Sequence, residues 1–379
     1  MGALERGAEA ATRATAGVTV TDVRATVARL TFTSIGDARQ VFGASAHGTI
    51  DHVVVRLRTS AGVTGYGEAY GYSAAEAVKT FIDGVLSPLV VGSEVGDCVT
   101  LSDRLQRAVH LYGRQGVAMY AISGIDIALW DAAAQLADVS LARLFDATVP
   151  ASLPAYASLA SYRNPTAVGV ATAAAVSDGF TGVKLHDTAI DEVQTAREAS
   201  PNGDLMVDAN CHWSLEGALV AADQFEHLGL AWLEEPVWPP EDGAALASLR
   251  VHATMPIAAG ENLSTAAALV RLIEGGAVDI IQPSVVKVGG VTEFLRVLEP
   301  ATAAGVRVAP HSPYFGPGLA ATIQLLCMIA DPVVESRYVT LSPDLFDGAL
   351  LPQAGRIAVP PRSGIGVAPD AEVLAAFGS

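Results

Sequence analysis

The sequence predicts an α/β protein in two parts, an α+β domain followed by a parallel barrel of alternating strands and helices. Three observations lead there. The chain has 379 residues, 51% of them apolar and 17% charged, which suits a barrel plus a smaller domain with a large buried core. Before about residue 150 strands come first and helices after, whereas beyond it short strands and amphipathic stretches alternate. In that second part, acids and bases recur at the C-terminal ends of the strands.

Residues 1–17, MGALERGAEAATRATAG, lack the apolar run of a secretory leader and are taken as an N-terminal extension. Residues 18–148 form the α+β domain. VTDVRATVARLTF and IDHVVVRLRT read as antiparallel strands, with a Gly-, Ser- and Ala-rich segment from Ser34 to Gly48 between them. VTGYGEAY follows the turn Ser60-Ala61-Gly62 as a third strand, and residues 73–146 read as helical, ending in AMYAISGIDIALWDAAAQLA.

Residues 149–345 form the barrel. Its strands are LPAYAS, GVKLH, LMVDAN, LAWLEE, PIAAGE, DIIQPS, VRVAPH and VVES. Between them, Leu215, Ala218, Leu219, Ala222 and Phe225 share one helix face with Gly229 as the stop. Ser264 is the expected N-cap of a helix ending at Gly275 and Gly276. A doubly wound open sheet is the alternative, but no strand leads into G-x-G-x-x-G or a P-loop. Residues 346–379, rich in Pro and Gly, are expected to return to the first domain.

The charge balance narrows the partners. Lys and Arg number 23 against 40 Asp and Glu, a net −17, which disfavours nucleic acid. An anionic substrate would need local cations to overcome that field. Cys98, Cys211 and Cys327 are odd in number and widely spaced, against a disulfide framework and in keeping with a reducing cytoplasm. No membrane span is expected.

Asp208, Glu234 and Glu261 end three consecutive barrel strands, 26 and 27 residues apart. Three carboxylates meeting at one mouth repel one another unless a cation neutralises them, and a hard divalent ion such as Mg²⁺ takes oxygen ligands. Singly, each could equally cap a helix or pair with an Arg. Lys184 and His186 lie two apart on the second strand and so share a face. For Lys184 a salt bridge is the plain alternative, and for His186 a satisfied core position. His311, in VAPHSPYFGPG, ends the seventh strand on the opposite arc. Two bases flanking a metal suit removal of a proton on one side and protonation on the other. Weaker candidates are Asn210 and His212 beyond the third strand, Tyr156 on the first, Tyr314 after the seventh, and Arg39 in the Ser34–Gly48 segment, placed to act as a lid.

The order K-x-H, D-A-N, E-E-P, G-E-N, Q-P-S-x-x-K-x-G-G, P-H and a late Glu resembles the enolase superfamily, in its mandelate racemase-like branch. The resemblance runs through most of the chain, including GIDIALWD before the barrel. It implies a modified (β/α)7β TIM-type barrel, an α+β capping domain completed by the C-terminal segment, a homo-oligomer, and one Mg²⁺ held by Asp208, Glu234 and Glu261. By position Glu234 is selected over Glu235, and a Glu in G-E-N resembles this branch rather than the muconate lactonizing one. Lys184 would be a base, and Glu335 would donate a hydrogen bond to the substrate carboxylate.

Two departures stand out. His186 occupies a position that is commonly Lys in the family, and it would act as a second cation only when protonated. Ser284 stands where an Asp usually supports the His, so His311 would be held by a hydroxyl and be less basic. That favours a general acid and hence dehydration of an acid sugar or related 2-hydroxy acid. A racemase, epimerase or cycloisomerase sharing the enediolate is the alternative, and a barrel that binds a small acid without turnover is the second.

Overall fold

The computed structural model describes residues 2–34 and 48–377. Strands β1 (Val20–Ser34), β2 (Thr49–Thr59) and β3 (Thr64–Ala69) form an antiparallel sheet in that order, with Val27 opposite Val53 and Val55 opposite Gly67. The helix Val117–Leu136 lies against it, so close to β3 that a Cβ on Gly67 would stand 2.0 Å from the Gly124 carbonyl oxygen. Only glycine permits that approach. This helix is long and apolar enough to cross a membrane by composition, but 89% of its apolar window is buried inside the protein.

Two acids on this helix join the parts of the molecule. The Asp126 carboxylate accepts the Thr292 amide at 2.9 Å and its hydroxyl at 2.6 Å, reaching the barrel helix Gly290–Ala304. Asp131 accepts the amides of Tyr66 and Ile365, each at 2.7 Å, and the Gln135 side chain at 2.9 Å. It thereby ties the first sheet to the C-terminal segment. Asp131→Ala leaves these buried donors without an acceptor and is expected to lower unfolding free energy by about 3 kcal/mol in a urea titration.

The parallel sheet comprises β4 (Ser152–Ser158), β5 (Gly182–Leu185), β6 (Asp204–Asp208), β7 (Trp232–Glu234), β8 (Ile257–Ala259), β9 (Ile280–Ile281), β10 (Arg307–Val308) and β11 (Val334–Arg337). They run in sequence from β4 to β10, and β11 pairs with the far side of β4. Among the described residues no backbone ladder joins β10 to β11. Instead the Ser312 hydroxyl donates to the Glu335 carbonyl at 3.3 Å and accepts the Glu335 amide at 3.0 Å. All eight barrel strands predicted from the sequence are present, in a modified (β/α)7β TIM-type architecture.

After β11 the chain leaves the barrel at once. β12 (Val339–Ser342) pairs with β1, Phe32 opposite Leu341, so the return to the first sheet begins at Val339. β13 (Arg356–Ala358), within the Pro- and Gly-rich tail, pairs antiparallel with β4. At the other terminus the extension is a helix, Ala3–Ala14, on which Gly7 meets the Phe145 ring so closely that a Cβ would lie 2.1 Å from it. Ser214 caps the helix Leu215–Phe225, its hydroxyl accepting the Gly217 amide. The expected cap Ser264 is corrected by one residue: Thr265 accepts the Ala268 amide and opens the helix Ala266–Glu274.

Candidate active site

The barrel strands fix the site through their register. Asp208 stands opposite Glu234 across the β6–β7 ladder, and Lys184 opposite Met206 across β5–β6. Side chains two residues apart along a strand point the same way. Met206 and Trp232, two residues before Asp208 and Glu234, therefore form the inward layer below them, with Tyr156, Ala258, Ile280 and Ala309. This apolar layer is the floor on which the charged groups sit.

Asp208, Glu234 and Glu261 are all buried, and one carboxylate oxygen of each lies within 4.8 Å of the others. Asn210 orients Asp208, donating to Oδ1 from its backbone at 2.9 Å and from its amide at 2.8 Å. Trp232 Nε1 donates to Glu234 Oε2 at 2.9 Å. Burial raises the proton affinity of Glu234, Lys184 pulls it back, and the crowding by Asp208, Glu335 and Glu261 raises it again. The result lies above the ordinary carboxylate range, and a divalent cation is what such a set lacks electrostatically. Three convergent oxygens of hard-ligand type fit Mg²⁺. Glu235, by contrast, turns away to accept from Asn262 Nδ2 at 2.6 Å and from Cys211 Sγ at 3.3 Å. Burial pushes its carboxyl up to about 8.

Lys184 and His311 touch the triad from different sides. Lys184 Nζ lies 3.2 Å from Asp208, 2.7 Å from Glu234 and 2.8 Å from Glu335. Burial would lower its pKa, but these three anions hold it well above the ordinary amine value. His311 Nε2 lies 3.0 Å from Glu261 Oε2, and burial drives the imidazole well below its usual pKa. Glu335 departs from the expected donor role. Its burial is outweighed by Lys184 and Arg337, which hold it ionised, and an ionised carboxylate only accepts. It serves here as the counter-ion of Lys184 and accepts the Ser312 amide at 3.2 Å.

His186 stands between two groups. Its Nδ1 meets the Leu159 carbonyl at 2.6 Å, and its Nε2 lies 3.4 Å both from Asp208 and from the Arg337 guanidinium. Burial and Arg337 push it down to about 3, so it is neutral and supplies no second cation. Ser284 does not touch His311. The group on His311 Nδ1 is the Tyr314 hydroxyl at 2.8 Å, and Ser284 Oγ makes a short hydrogen bond with that hydroxyl from behind. The expected direct Ser284 contact is therefore corrected to one through Tyr314, because Tyr314, only three residues past His311, fills the space between them.

The cavity over these groups has a volume of about 270 Å³, and its wall includes Tyr70, Tyr72, Ser161, Asn262, Lys287 and Arg337. None of these six was singled out as a site residue from sequence. Arg337 follows Glu335 by two on β11 and shares its face, a signal that could have found it. Lys287, in the Q-P-S-x-x-K run, donates to Asn262 Oδ1 at 2.7 Å and lies 3.8 Å from Glu261. Tyr70 and Tyr72 come from the first domain just past β3, and a docking between distant segments leaves no local signal. Lys184, Lys287 and Arg337 are the local cations that an anionic substrate needs in a chain this acidic.

Three weaker candidates are corrected. Tyr156 is buried in the floor, packed edge-to-face on Trp232 at 5.6 Å between ring centres. His212 is exposed and packs on Trp213, outside the cavity wall. Tyr314 is buried behind His311 and does not line the cavity. Arg39 and the proposed lid lie outside the described residues. The loop carrying His311 is held from the first sheet: Glu68 accepts the Gly318 amide at 2.9 Å and pairs with His52 at 3.0 Å.

Comparison with known proteins supplies the family. Residues 167–373 match the family model described as enolase C-terminal domain-like. Residues 38–145 match the mandelate racemase / muconate lactonizing enzyme N-terminal domain. The chain is 28% identical to the arabinonate dehydratase of Saccharolobus solfataricus, over 87% of this chain and 91% of that enzyme. It is 30% identical to the D-galactarolactone cycloisomerase of Agrobacterium fabrum, over 74% of this chain and 76% of that one. A crystal structure of L-talarate dehydratase from Polaromonas sp., complexed with Mg and L-glucarate, superposes with a TM-score of 0.83 at 29% identity, covering 96% of this chain and 98% of that one. With its buried carboxylate triad and both domains matched, the chain is a magnesium enzyme of the enolase superfamily, in its mandelate racemase/muconate lactonizing enzyme group.

Proposed function

We propose that this enzyme dehydrates an acid sugar or a related 2-hydroxy acid. The observation that carries this reading is the inequality of the two flanking groups. Lys184 sits among three carboxylates, while His311 has only a neutral phenol behind its Nδ1. A symmetric proton exchange wants two matched bases, and these are not matched.

Asp208, Glu234 and Glu261 would hold the Mg²⁺, which supplies Lewis-acid stabilisation of the negative charge that develops on the substrate carboxylate. With two of its anionic partners so engaged, Lys184 keeps Glu335 and loses much of what retains its proton, which lets the amine act as base. Lys184 then takes the C2 proton. The C2–C3 double bond forms as the C3–O bond breaks, and the hydroxyl leaves as water with the Nε2 proton of His311, which the bound anionic substrate brings to its imidazolium form and which returns to the neutral ring. The enol that remains becomes a 2-keto-3-deoxy acid. Ser161, Asn210, Asn262, Tyr70 and Tyr72 on the wall offer hydrogen bonds to a polyol, and Lys287 and Arg337 favour an anion.

A screen of acid sugars with Mg²⁺ in deuterated water tests this. The expected product is a 2-keto-3-deoxy acid, and deuterium at C2 of recovered, inverted substrate without keto acid would establish epimerisation instead. His311→Asn is expected to lower keto-acid formation by about 10²-fold or more while C2 exchange persists. Equal loss of both would show that His311 is not the acid of the second step. The cycloisomerase relative keeps isomerisation as the second reading, and no C2 exchange with any acid would leave a binding barrel. We also propose a homo-oligomer and a cytoplasmic location. Cys98, Cys211 and Cys327 are free thiols, in keeping with the latter, and light scattering reads the former.

A further inference from the structure

His311 ends in two different contacts, and hydrogen-bond accounting orders them. On the cavity side its Nε2 faces the Glu261 carboxylate at 3.0 Å. A carboxylate oxygen repels a bare ring nitrogen at that distance, so Nε2 carries a proton. In the neutral ring Nδ1 is then an acceptor, and the atom facing it at 2.8 Å is the Tyr314 hydroxyl. Tyr314 has one proton, and giving it to Nδ1 leaves its oxygen to accept from Ser284. Proton direction therefore runs Ser284 to Tyr314 to His311 to the cavity. Both hydroxyl-bearing residues are buried, Ser284 at 1% and Tyr314 at 4% exposure, so water does not compete for these bonds.

A chain of two hydroxyls differs from a carboxylate in one respect. Each hydroxyl both donates and accepts, so the same three atoms can run in the reverse direction, Nδ1 to Tyr314 to Ser284, without moving. It orients the ring and adds no charge. We propose that Tyr314, backed by Ser284, is a positioning residue that fixes the His311 ring with Nε2 toward the substrate, a neutral hydroxyl chain doing the work of an orienting carboxylate. Ser284 acts only through Tyr314, since it does not reach the imidazole.

The proposal rests on His311 acting in turnover, and the test separates the two. Tyr314→Phe removes one oxygen and keeps the ring. It is expected to lower kcat by about 10- to 100-fold with KM within about threefold, because a catalytic group loses its aim while the cavity wall is untouched. Ser284→Ala should cost less, Ser284→Thr should restore the hydroxyl and most of the activity, and the double variant should be no slower than Tyr314→Phe alone. Independent multiplying effects of the two substitutions would overturn the chain. A second readout needs no substrate: ¹⁵N-histidine spectra, with His311 assigned by its loss in His311→Asn, should show an Nε2–H ring whose Nδ1 signal is that of a hydrogen-bonded acceptor in the wild type, and an Nδ1 signal moved toward that of a free acceptor in Tyr314→Phe, Glu261 keeping Nε2 protonated in both. An unchanged His311 spectrum in Tyr314→Phe overturns the positioning role. If Tyr314→Phe does not fold, Ser284→Ala should move the Nδ1 signal in the same direction by less, because it acts on the Tyr314 hydroxyl alone, and an Nδ1 signal that does not move would overturn the chain. Failure to form a keto acid would overturn the dehydration reading and leave the spectra to judge the hydroxyl chain.

Discussion

Lys184→Ala is expected to abolish turnover, lowering kcat by about 10³- to 10⁴-fold, and to remove exchange of the C2 proton with deuterated solvent. The loss of exchange is the informative part. A residue that only bound substrate would raise KM and leave exchange measurable at saturation. The substitution also has a structural consequence that can be read separately. It takes away the cation lying 3.2 Å from Asp208, 2.7 Å from Glu234 and 2.8 Å from Glu335, all buried. Without metal these carboxylates would repel one another, so the variant should be destabilised and should regain stability on adding Mg²⁺. Retained exchange in a folded, metal-loaded Lys184→Ala enzyme would remove Lys184 from the role of base.

Glu234→Gln is expected to weaken Mg²⁺ binding by at least about 100-fold, more than the loss of an outer hydrogen-bond partner costs a metal site. Glu234 is central in the ligand set: its two oxygens are spoken for by Lys184 and by Trp232 Nε1 at 2.9 Å, which leaves little freedom to rotate. An amide nitrogen turned toward Lys184 would repel it, and one turned toward Trp232 would lose that acceptor. Isothermal titration with Mg²⁺ measures the change directly. Glu235→Gln provides the control, since Glu235 faces Asn262 and Cys211 and should leave Mg²⁺ affinity within a fewfold of the wild type. Equal losses in the two variants would overturn the choice of Glu234.

The contrast between the acids and the bases shows how much could be read in advance. Asp208, Glu234 and Glu261 were legible because strand ends in a parallel barrel converge by construction, so position along the chain translates into position in space. Lys184 was legible for the same reason. Arg337 carried the same strand-end signal, two past Glu335 on β11, whereas Lys287 lies on a short helix, and nothing local separates a Lys on a helix surface from one turned into the mouth. The hydroxyl on His311 was misassigned to Ser284 because the strand-end rule places residues, but does not say which side chain fills the gap between two of them. His212 and Tyr156 show the converse, lying on or just past a barrel strand end yet turned to solvent or down into the floor.

By itself, then, the sequence determined the two-part architecture, the eight barrel strands and the three acids that converge at the barrel mouth. Each of these follows from periodicity or from spacing along one chain segment. Only the tertiary structure decided that Tyr70 and Tyr72 close the cavity from the other domain and that His186 is neutral between Asp208 and Arg337. It alone decided that Ser284 reaches His311 through Tyr314. These depend on packing between residues far apart in the chain and on burial, which sets protonation, and neither is written in any local pattern.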